Sequence, residues 1–511
     1  MDYINENVVL CFYLEQIEKN NIVFLDGREE FKERIKENIV KLRDAEDMHD
    51  KIQTAKNLWK SLFTASMSYI DSDMRGYDKL FTYFDEYVNF EELIFASDSF
   101  YRDHTLHCLW VYFLGEYLTK NEEFSPLFNK LDLQSNSIAN LVSVIENSSI
   151  ADILKKFTDF GHAVDASKCK DSIWCVTALT HDLGYPIKKI YKINNCIGKV
   201  LPYFSLENYN EFNFNYSPTQ QHFVENFIKL MTMNISFSND NTGKKLEELT
   251  VRIFDIDKNG SMLGLNETEI KNLTNGEREI LKDSLKFKCV IKENLTKRLQ
   301  FFNDFEQYQH GIMSAFLLMK TVKSFSNINF NYTDNLNLEL KELDVKALET
   351  KMQILSAISD HTNEAKQIKG IDEVSDMLIL IDELEEFSRI SRANMNRQFI
   401  REFCKSDIYF KDGVINIDFI FDNENIKNLD PEKAFKGRCK RFLSIFNINK
   451  LDEDLKIKLR CIGKLSYDNN VYSLEIAKKY ANITINDVEQ DIPKYLKSNE
   501  FYTKAMYMKL S

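Results

Sequence analysis

Histidine is scarce in this chain of 511 residues, and the positions of the few that occur are informative. The eight histidines are His49, His104, His107, His162, His181, His222, His310 and His361. Four of them lie at the end of an apolar helical pattern, where the imidazole ring faces a core. His107 begins one such stripe, and His361 ends another. His181 closes the run SIWCVTALT, and His310 opens the run GIMSAFLLM, whose small residues permit close packing.

Two carboxylates accompany these histidines. Asp182 directly follows His181, and Asp382 interrupts the apolar run MLILIDEL one turn after Leu378. A bare carboxylate buried there costs several kcal/mol, so we expect it to be paired or to bind a metal ion. Imidazole nitrogens and carboxylate oxygens that converge from separate helices are typical ligands of transition metals. A His-Asp doublet suits a centre of two metal ions, which activates water and holds phosphoryl oxygens.

Each of these residues also has an ordinary structural interpretation. A single histidine at the end of a helix is more often a satisfied core residue, and this alternative stays open for each one taken alone. Five elements that occur in order, each at the end of an apolar helix, favour a functional site.

The elements that position these residues are predicted to be mainly α-helical. Only 15 glycines and 6 prolines occur, and few chain breakers favour long helices. Residues 1–90 form a helical region that covers one side of the core or serves in oligomer contacts. Residues 91–400 form the core, with a partly β insertion at about 200–300 that contains the runs LTVRIF and FKCVI. Residues 401–511 form a small C-terminal α+β module.

Local signals define the C-terminal module. The sequence alternates apolar and polar residues after Asp412–Gly413, a dipeptide typical of hairpin turns. Asp430–Pro431 is a typical helix start, and the run KIKLRCI indicates a further strand. The module is rich in cations, which form either a binding patch for a nucleotide, RNA or an acidic partner, or a solvated helix face. These cations are Lys433, Lys436, Arg438, Lys440, Arg441, Lys456, Lys458 and Arg460.

Composition excludes several classes of protein. The 79 acidic residues exceed the 66 basic ones, and this balance does not favour nucleic acid as a partner. The nine cysteines are scattered without a C-x-x-C pair, which indicates reduced thiols and no structural zinc site. No apolar run is long enough to span a membrane, and the first residues lack the basic region of a secretory signal. We therefore expect a cytoplasmic protein without a membrane partner.

Five segments together resemble the HD-domain superfamily of metal-dependent phosphohydrolases. They are YRDHTLHCLWVYFLG (101–115), ALTHDLGYP (178–186), YQHGIMSAFLL (308–318), LSAISDH (355–361) and LILIDELEEFSR (378–389). The second segment is similar to the His-Asp doublet of that family, and the last is similar to its closing helix. The resemblance covers residues 95–395, with the insertion between the second and third segments.

The resemblance implies an all-α metal-binding core that hydrolyses a phosphate ester. The substrate would be a small phosphorylated molecule, a nucleoside triphosphate or a cyclic nucleotide, attacked by a metal-activated hydroxide. By this similarity the basic ligand set is His107, His181, Asp182 and Asp382. His310 and His361 match the additional histidines of members with two metal ions. The cofactor would be two divalent ions, and the sequence does not distinguish Mn, Fe, Mg and Zn.

The resemblance implies further roles around these motifs. In the cyclic-nucleotide phosphodiesterases that share this fold, a histidine one turn before the first ligand protonates the leaving oxygen, so His104, one turn before His107, is the candidate general acid. Asp103 is the alternative at that place, as an outer ligand or a residue that orients a ligand imidazole. Three cations flank the motifs and either neutralise substrate phosphate or are solvated surface charges. They are Arg102, Lys188 and Lys189. Tyr185 occupies the position of a lysine in cyclic-di-nucleotide phosphodiesterases of the HD-GYP type, so we do not assign that specificity.

Two other interpretations remain. The chain could be a regulatory module that binds a metal or a nucleotide without turnover, although a full ligand set argues against it. The run DIDKNGSMLGLNE (255–267) imitates a calcium loop, but Asn266 stands where a bidentate Glu is required. We interpret that run as a polar hairpin turn.

Overall fold

The computed structural model describes residues 4–71, 74, 76–97, 100–131, 170–206, 216–238, 286–293, 295–326, 338–387, 389–391, 398–399, 404–425, 429–493 and 506. Within these ranges the protein is mainly helical, as predicted. The helices before the insertion are α1 (Glu6–Glu18), α2 (Glu29–Asp44), α3 (Met48–Ile70), α4 (Tyr77–Ser97), α5 (His104–Lys120), α6 (Lys170–Thr180) and α7 (Tyr185–Val200). The later helices are α8 (Pro218–Met231), α9 (Leu295–Glu306), α10 (His310–Thr321), α11 (Lys323–Ser326), α12 (Glu342–Asp360), α13 (Val374–Leu384) and α14 (Pro431–Ile445).

Helix α5 is the centre of the core. Its side chains are buried on every face from His104 to Glu116, the pattern of a helix surrounded by other helices. Helix α1 packs against it, and the Tyr13 and Tyr112 hydroxyls share a hydrogen bond of 2.8 Å. Helix α6 packs on another side, where the Trp174 indole N–H donates to the Tyr112 carbonyl. The helices that carry the candidate ligands therefore stand in a packed interior.

Two small sheets accompany the helical core. Strands β2 (Met233–Ser238), β3 (Lys286–Glu293) and β4 (Leu338–Lys341) form an antiparallel sheet in that order. The predicted strand FKCVI lies within β3, whereas LTVRIF and the calcium-like run 255–267 lie outside the described residues. Strands β1 (Phe100–Arg102), β5 (Arg389–Ser391) and β6 (Gln398–Phe399) form the other sheet and join the start of the core to its end.

In its described residues the C-terminal module is a six-stranded sheet with the helix α14, and its predicted local signals are confirmed. The strands are β7 (Lys405–Lys411), β8 (Val414–Phe421), β9 (Ile457–Gly463), β10 (Val471–Ala477), β11 (Tyr480–Ile485) and β12 (Val488–Gln490). Asp412 and Gly413 turn the hairpin β7–β8 with φ of 54° and 75°, the positive angles of a type I′ turn. The Asp430 side chain caps α14, and α14 makes the crossover that lets β9 run parallel to β8.

The cations of this module do not form a single solvated face. Arg438 is largely buried and paired with Glu386, and Arg460 is paired with Asp418. Lys436 instead pairs along the surface of its own helix. Several of the cations considered for a binding patch or a solvated face are therefore already paired within the chain. No helix in the described residues is long and apolar enough to cross a membrane.

Candidate metal centre

Five parts of the chain bring six candidate ligands to one place. His107 lies on α5, and His181 with Asp182 directly follows α6. His310 is the first residue of α10, His361 follows the last residue of α12, and Asp382 lies in the last turn of α13. The six side chains are largely buried, with exposed fractions between 0% and 18%.

Four donor atoms form what we call the first donor set: His107 Nε2, His181 Nε2, Asp382 Oδ1 and Asp182 Oδ2. His107 Nε2 lies 3.0 Å from Asp382 Oδ1, 3.3 Å from His181 Nε2 and 3.6 Å from Asp182 Oδ2. His181 Nε2 lies 3.5 Å from the same Asp182 oxygen. Ligand bonds of about 2.1 Å place neighbouring donors about 3.0 Å apart in an octahedral site and about 3.4 Å apart in a tetrahedral one. The four distances are compatible with ligands around one ion, so the first donor set could hold a metal ion.

The other oxygen of Asp182 faces what we call the second donor set, His310 Nε2 and His361 Nε2. His310 Nε2 lies 3.2 Å from Asp182 Oδ1, and His361 Nε2 lies 3.7 Å from it. The rings of His310 and His361 are 5.0 Å apart between centroids. One carboxylate thus stands between two groups of imidazole nitrogens.

Hydrogen bonds fix which nitrogen of His181 and of His361 carries a proton. His181 Nδ1 lies 2.8 Å from the Ala178 carbonyl, and His361 Nδ1 lies 2.5 Å from the Ile358 carbonyl. A carbonyl only accepts, so both Nδ1 atoms donate, and Nε2 of the neutral rings presents a lone pair. Burial lowers the pKa of His181 to about 3, which keeps this imidazole neutral at pH 7.

Several ring nitrogens of this cluster face one another or a carboxylate, and a metal ion between them would satisfy their lone pairs. His107 Nδ1 lies 2.6 Å from Glu385 Oε2 and donates to it, so in the neutral ring Nε2 presents a lone pair that faces His181 Nε2 at 3.3 Å. Two facing lone pairs repel unless a cation lies between them. His361 Nε2 is buried and has no hydrogen-bond partner among the residues that the structure describes. Two overlapping triads, His107–His181–Asp382 and His181–Asp182–His361, each have donor atoms within 4.8 Å of one another.

The surrounding helices hold the His-Asp doublet by its backbone. The Trp59 indole N–H of α3 donates to the Leu179 carbonyl at 2.7 Å, just before the doublet. The Tyr83 hydroxyl of α4 donates to the Leu183 carbonyl just after it. The N-terminal helices therefore contribute to the position of the ligands as well as to the core.

Glu385 is a functional candidate that the sequence analysis missed. Its side chain is fully buried, and its carboxylate accepts the Nδ1 proton of His107. A carboxylate in this place orients a ligand imidazole and makes it a stronger donor. The available signal was its spacing: Glu385 lies three residues after Asp382, which places both on one side of a helical turn.

Asp103 and His104 lie at the edge of the cluster. The Asp103 carboxylate accepts the Leu106 N–H at 3.0 Å and caps α5, and it is not among the six clustered ligands. Burial and the nearby Glu91 raise the pKa of Asp103 to about 6. His104 Nδ1 lies 3.0 Å from Glu91 Oε2, and its ring centroid is 6.4 Å from that of His107. Sequence reasoning also missed Glu91.

The predicted phosphate-binding cations occupy different positions. Lys189 is buried, with its ammonium 4.4 Å from the centroid of the Tyr185 ring, and that ring lies 3.8 Å from the His104 ring, tilted by 38°. Lys188 is exposed and donates to Gln309 Oε1 at 2.8 Å, beside the start of α10. The backbone of Arg102 lies in β1, whereas its side chain lies outside the described residues.

Comparison with known proteins adds no relative. No family model matches the chain, and neither a curated protein nor a solved structure is similar to it.

Proposed function

We propose that this protein is a divalent-metal-dependent phosphohydrolase of the HD-domain type that cleaves a phosphate ester, in a nucleoside triphosphate or a cyclic nucleotide. The observation that carries the proposal is the position of Asp182. One of its oxygens faces the imidazoles of His107 and His181, and the other faces those of His310 and His361. A carboxylate shared in this way suits a centre of two metal ions that binds the oxygens of a phosphoryl group.

The six ligands would hold the ions, and the surrounding residues would keep them in place. Divalent ions bound there supply Lewis acidity, which activates water at neutral pH and neutralises phosphoryl oxygens. Burial lowers the pKa of His181 to about 3 and that of His310 to about 4, so both imidazoles are neutral at pH 7 and would bind an ion without losing a proton first. The packed helices exclude bulk water from the ligands and strengthen their electrostatic interactions.

His104 would act as the general acid and donate a proton to the leaving oxygen. Glu91 Oε2 lies 3.0 Å from Nδ1 and would orient the ring for this proton transfer. Lys188 donates to Gln309 beside His310, and the Lys189 ammonium lies 4.4 Å from the centroid of the Tyr185 ring. Their charges would neutralise a further phosphate of a nucleotide substrate.

The test is turnover by full-length protein that has first been analysed for bound metal. We expect hydrolysis of at least one member of a panel of nucleotides and simple phosphoesters with Mn²⁺, Mg²⁺ or Fe²⁺. The double variant His181→Ala/Asp182→Ala should stay folded and lose that turnover. The matched control is His222→Ala, since His222 is an exposed histidine of α8 that contacts Asn226. Metal-loaded protein that is inert on the whole panel would contradict the proposal and favour a regulatory module without turnover.

A further inference from the structure

Two side chains that follow Asp382, those of Glu385 and Glu386, point to opposite sides of the backbone. Glu385 ends α13 with an extended backbone, φ −72° and ψ 114°, so consecutive side chains point to opposite sides. Glu385 itself points inward, where its Oε2 lies 2.6 Å from His107 Nδ1. The next residue, Glu386, points outward to the C-terminal module, where its Oε1 accepts from Arg438 Nη1 at 2.7 Å.

The contact between Glu386 and Arg438 is a buried ion pair. Their side chains are 3% and 14% exposed, and the guanidinium lies 3.5 Å above the centroid of the Phe419 ring. Removing one partner of such a pair leaves the other charge buried, so the pair resists displacement. Helix α14 carries a second pair with α13, between Arg441 and Glu383. The Arg441 side chain is half-exposed, so this ion pair is weaker.

Helix α14 also holds the segment that leads from His361 to α13. The Ile368 N–H donates to the Ile445 carbonyl at 2.8 Å, at the end of α14. The Asn447 N–H donates back to the Ile368 carbonyl at 2.9 Å. The module is thus attached to the chain shortly after His361 and again directly after Asp382.

We infer that α14 is a positioning element of the metal centre, in which Arg438 holds Glu386 and thereby fixes Glu385 against His107. This inference rests on the metal binding that the proposed function requires. A ligand imidazole oriented by a carboxylate binds its metal about 10- to 100-fold more tightly than one without that partner. Arg438 acts one step further out, through the backbone that Glu385 and Glu386 share.

The experiment measures the affinity of full-length, metal-free protein for Mn²⁺ by calorimetry. We expect Arg438→Gln to raise the Kd about tenfold, since the carboxylate on His107 is no longer fixed. Arg438→Lys keeps a positive charge and should give a Kd between those of the wild type and Arg438→Gln. The matched control is Arg460→Gln, which breaks the pair with Asp418 in the same module and should leave the Kd unchanged.

A double-variant cycle separates positioning from a general loss of stability. If Arg438 acts through Glu385, the combination Arg438→Gln/Glu385→Gln binds Mn²⁺ no more weakly than Glu385→Gln alone. Additive losses, or an unchanged Kd in Arg438→Gln, overturn the inference. If Arg438→Gln does not fold, the same cycle is run with Arg438→Lys.

The outcomes also separate this inference from the proposed function. Wild-type protein that binds no Mn²⁺ overturns the metal centre and this inference together. Wild-type protein that binds Mn²⁺, with an Arg438→Gln variant of equal Kd, overturns only the inference. A Kd that responds as expected in protein that hydrolyses no phosphoester supports the inference and contradicts the proposed function.

Discussion

The two donor sets of the centre differ in how firmly their ligands are held. In the first set, a buried carboxylate fixes His107, and a backbone carbonyl fixes His181. The side chains of both are fully buried. In the second set, a carbonyl fixes His361, but Nδ1 of His310 has no hydrogen-bond partner in the described part of the chain. The side chain of His310 is also 18% exposed.

For the proposed centre of two ions, this difference predicts two sites of unequal strength that share Asp182. Ligands whose rings are already oriented lose little conformational freedom on binding, so the first set should hold its ion tightly. A ring without an oriented partner has to be fixed by the ion itself, so the second set should exchange its ion more readily. The following predictions test this contrast.

The largest effect is expected for the residue common to both sets. Asp182→Asn removes the negative charge and one of the two oxygens that face the imidazoles. We expect Mn²⁺ affinity to fall by more than about 100-fold, since even outer partners of metal ligands contribute about 10- to 100-fold. Turnover should be lost with it. Calorimetry checks the affinity, and circular dichroism checks the fold; a variant that keeps both ions contradicts the shared role of Asp182.

Variants of one histidine from each set should differ in their metal content. His181→Ala removes a fully buried ligand of the first set, and we expect no ion to survive dialysis. His310→Ala removes the more exposed ligand of the second set, and we expect one ion per chain to remain. Metal analysis after dialysis distinguishes the two results. If both variants lose the same number of ions, the two donor sets do not differ in strength.

A smaller change should disturb the second set through packing alone. A Cβ added at Gly184 would lie 2.6 Å from Met313 Cβ and from Ser314 N, so α10 would have to move away from the doublet. We expect Gly184→Ala to lower the free energy of unfolding by about 1–3 kcal/mol and to weaken the second site. Denaturant unfolding and metal analysis measure the two effects.

The control for that substitution is Gly437→Ala on α14. Beyond its chain neighbours and the backbone of its own helix, a Cβ at Gly437 meets no atom of the described residues within 4 Å, and alanine is favoured in a helix by up to about 1 kcal/mol. We expect slightly higher stability and unchanged metal content. If Gly184→Ala behaves like this control, the close approach of α10 does not position His310.

The smallest effect on the centre is expected at the far end of α5. Burial raises the pKa of Glu116 to about 8, although Lys120 lies 3.5 Å away. The unfolded chain releases this proton near pH 4.5, while the folded protein keeps it, so stability falls as pH rises from 4.5 to 8. Glu116→Gln should remove this dependence and add about 1–3 kcal/mol at pH 8. Unfolding curves across this range test it, and parallel curves for variant and wild type would contradict it.

Glu116→Gln also tests whether the stability of α5 and the metal affinity of the centre are independent. Glu116 lies more than two helical turns beyond His107 on α5. We expect Glu116→Gln to leave Mn²⁺ affinity unchanged while it alters stability. A change in affinity would show that the strength of the first set depends on the whole helix.

Local sequence patterns were sufficient to predict features that depend only on neighbouring residues, such as turns and helix caps. The turn at Asp412–Gly413 requires positive φ angles, and the helix start at Asp430–Pro431 requires a cap, so both could be predicted from neighbouring residues. The histidines at the ends of apolar stripes could be recognised as candidate ligands because helical spacing places them toward a core.

Only the tertiary structure decided which groups meet and how each is held. Glu385 and Glu386 are adjacent, identical in type and both buried, yet one faces His107 and the other faces Arg438. The division of Asp182 between two donor sets likewise depends on where α5, α10 and the ends of α6 and α12 pack. Sequence spacing determines the face of a helix on which a residue lies, because the backbone is periodic. The residue that packs against that face is set by segments that can lie hundreds of residues apart in the sequence. A local sequence pattern therefore cannot predict it.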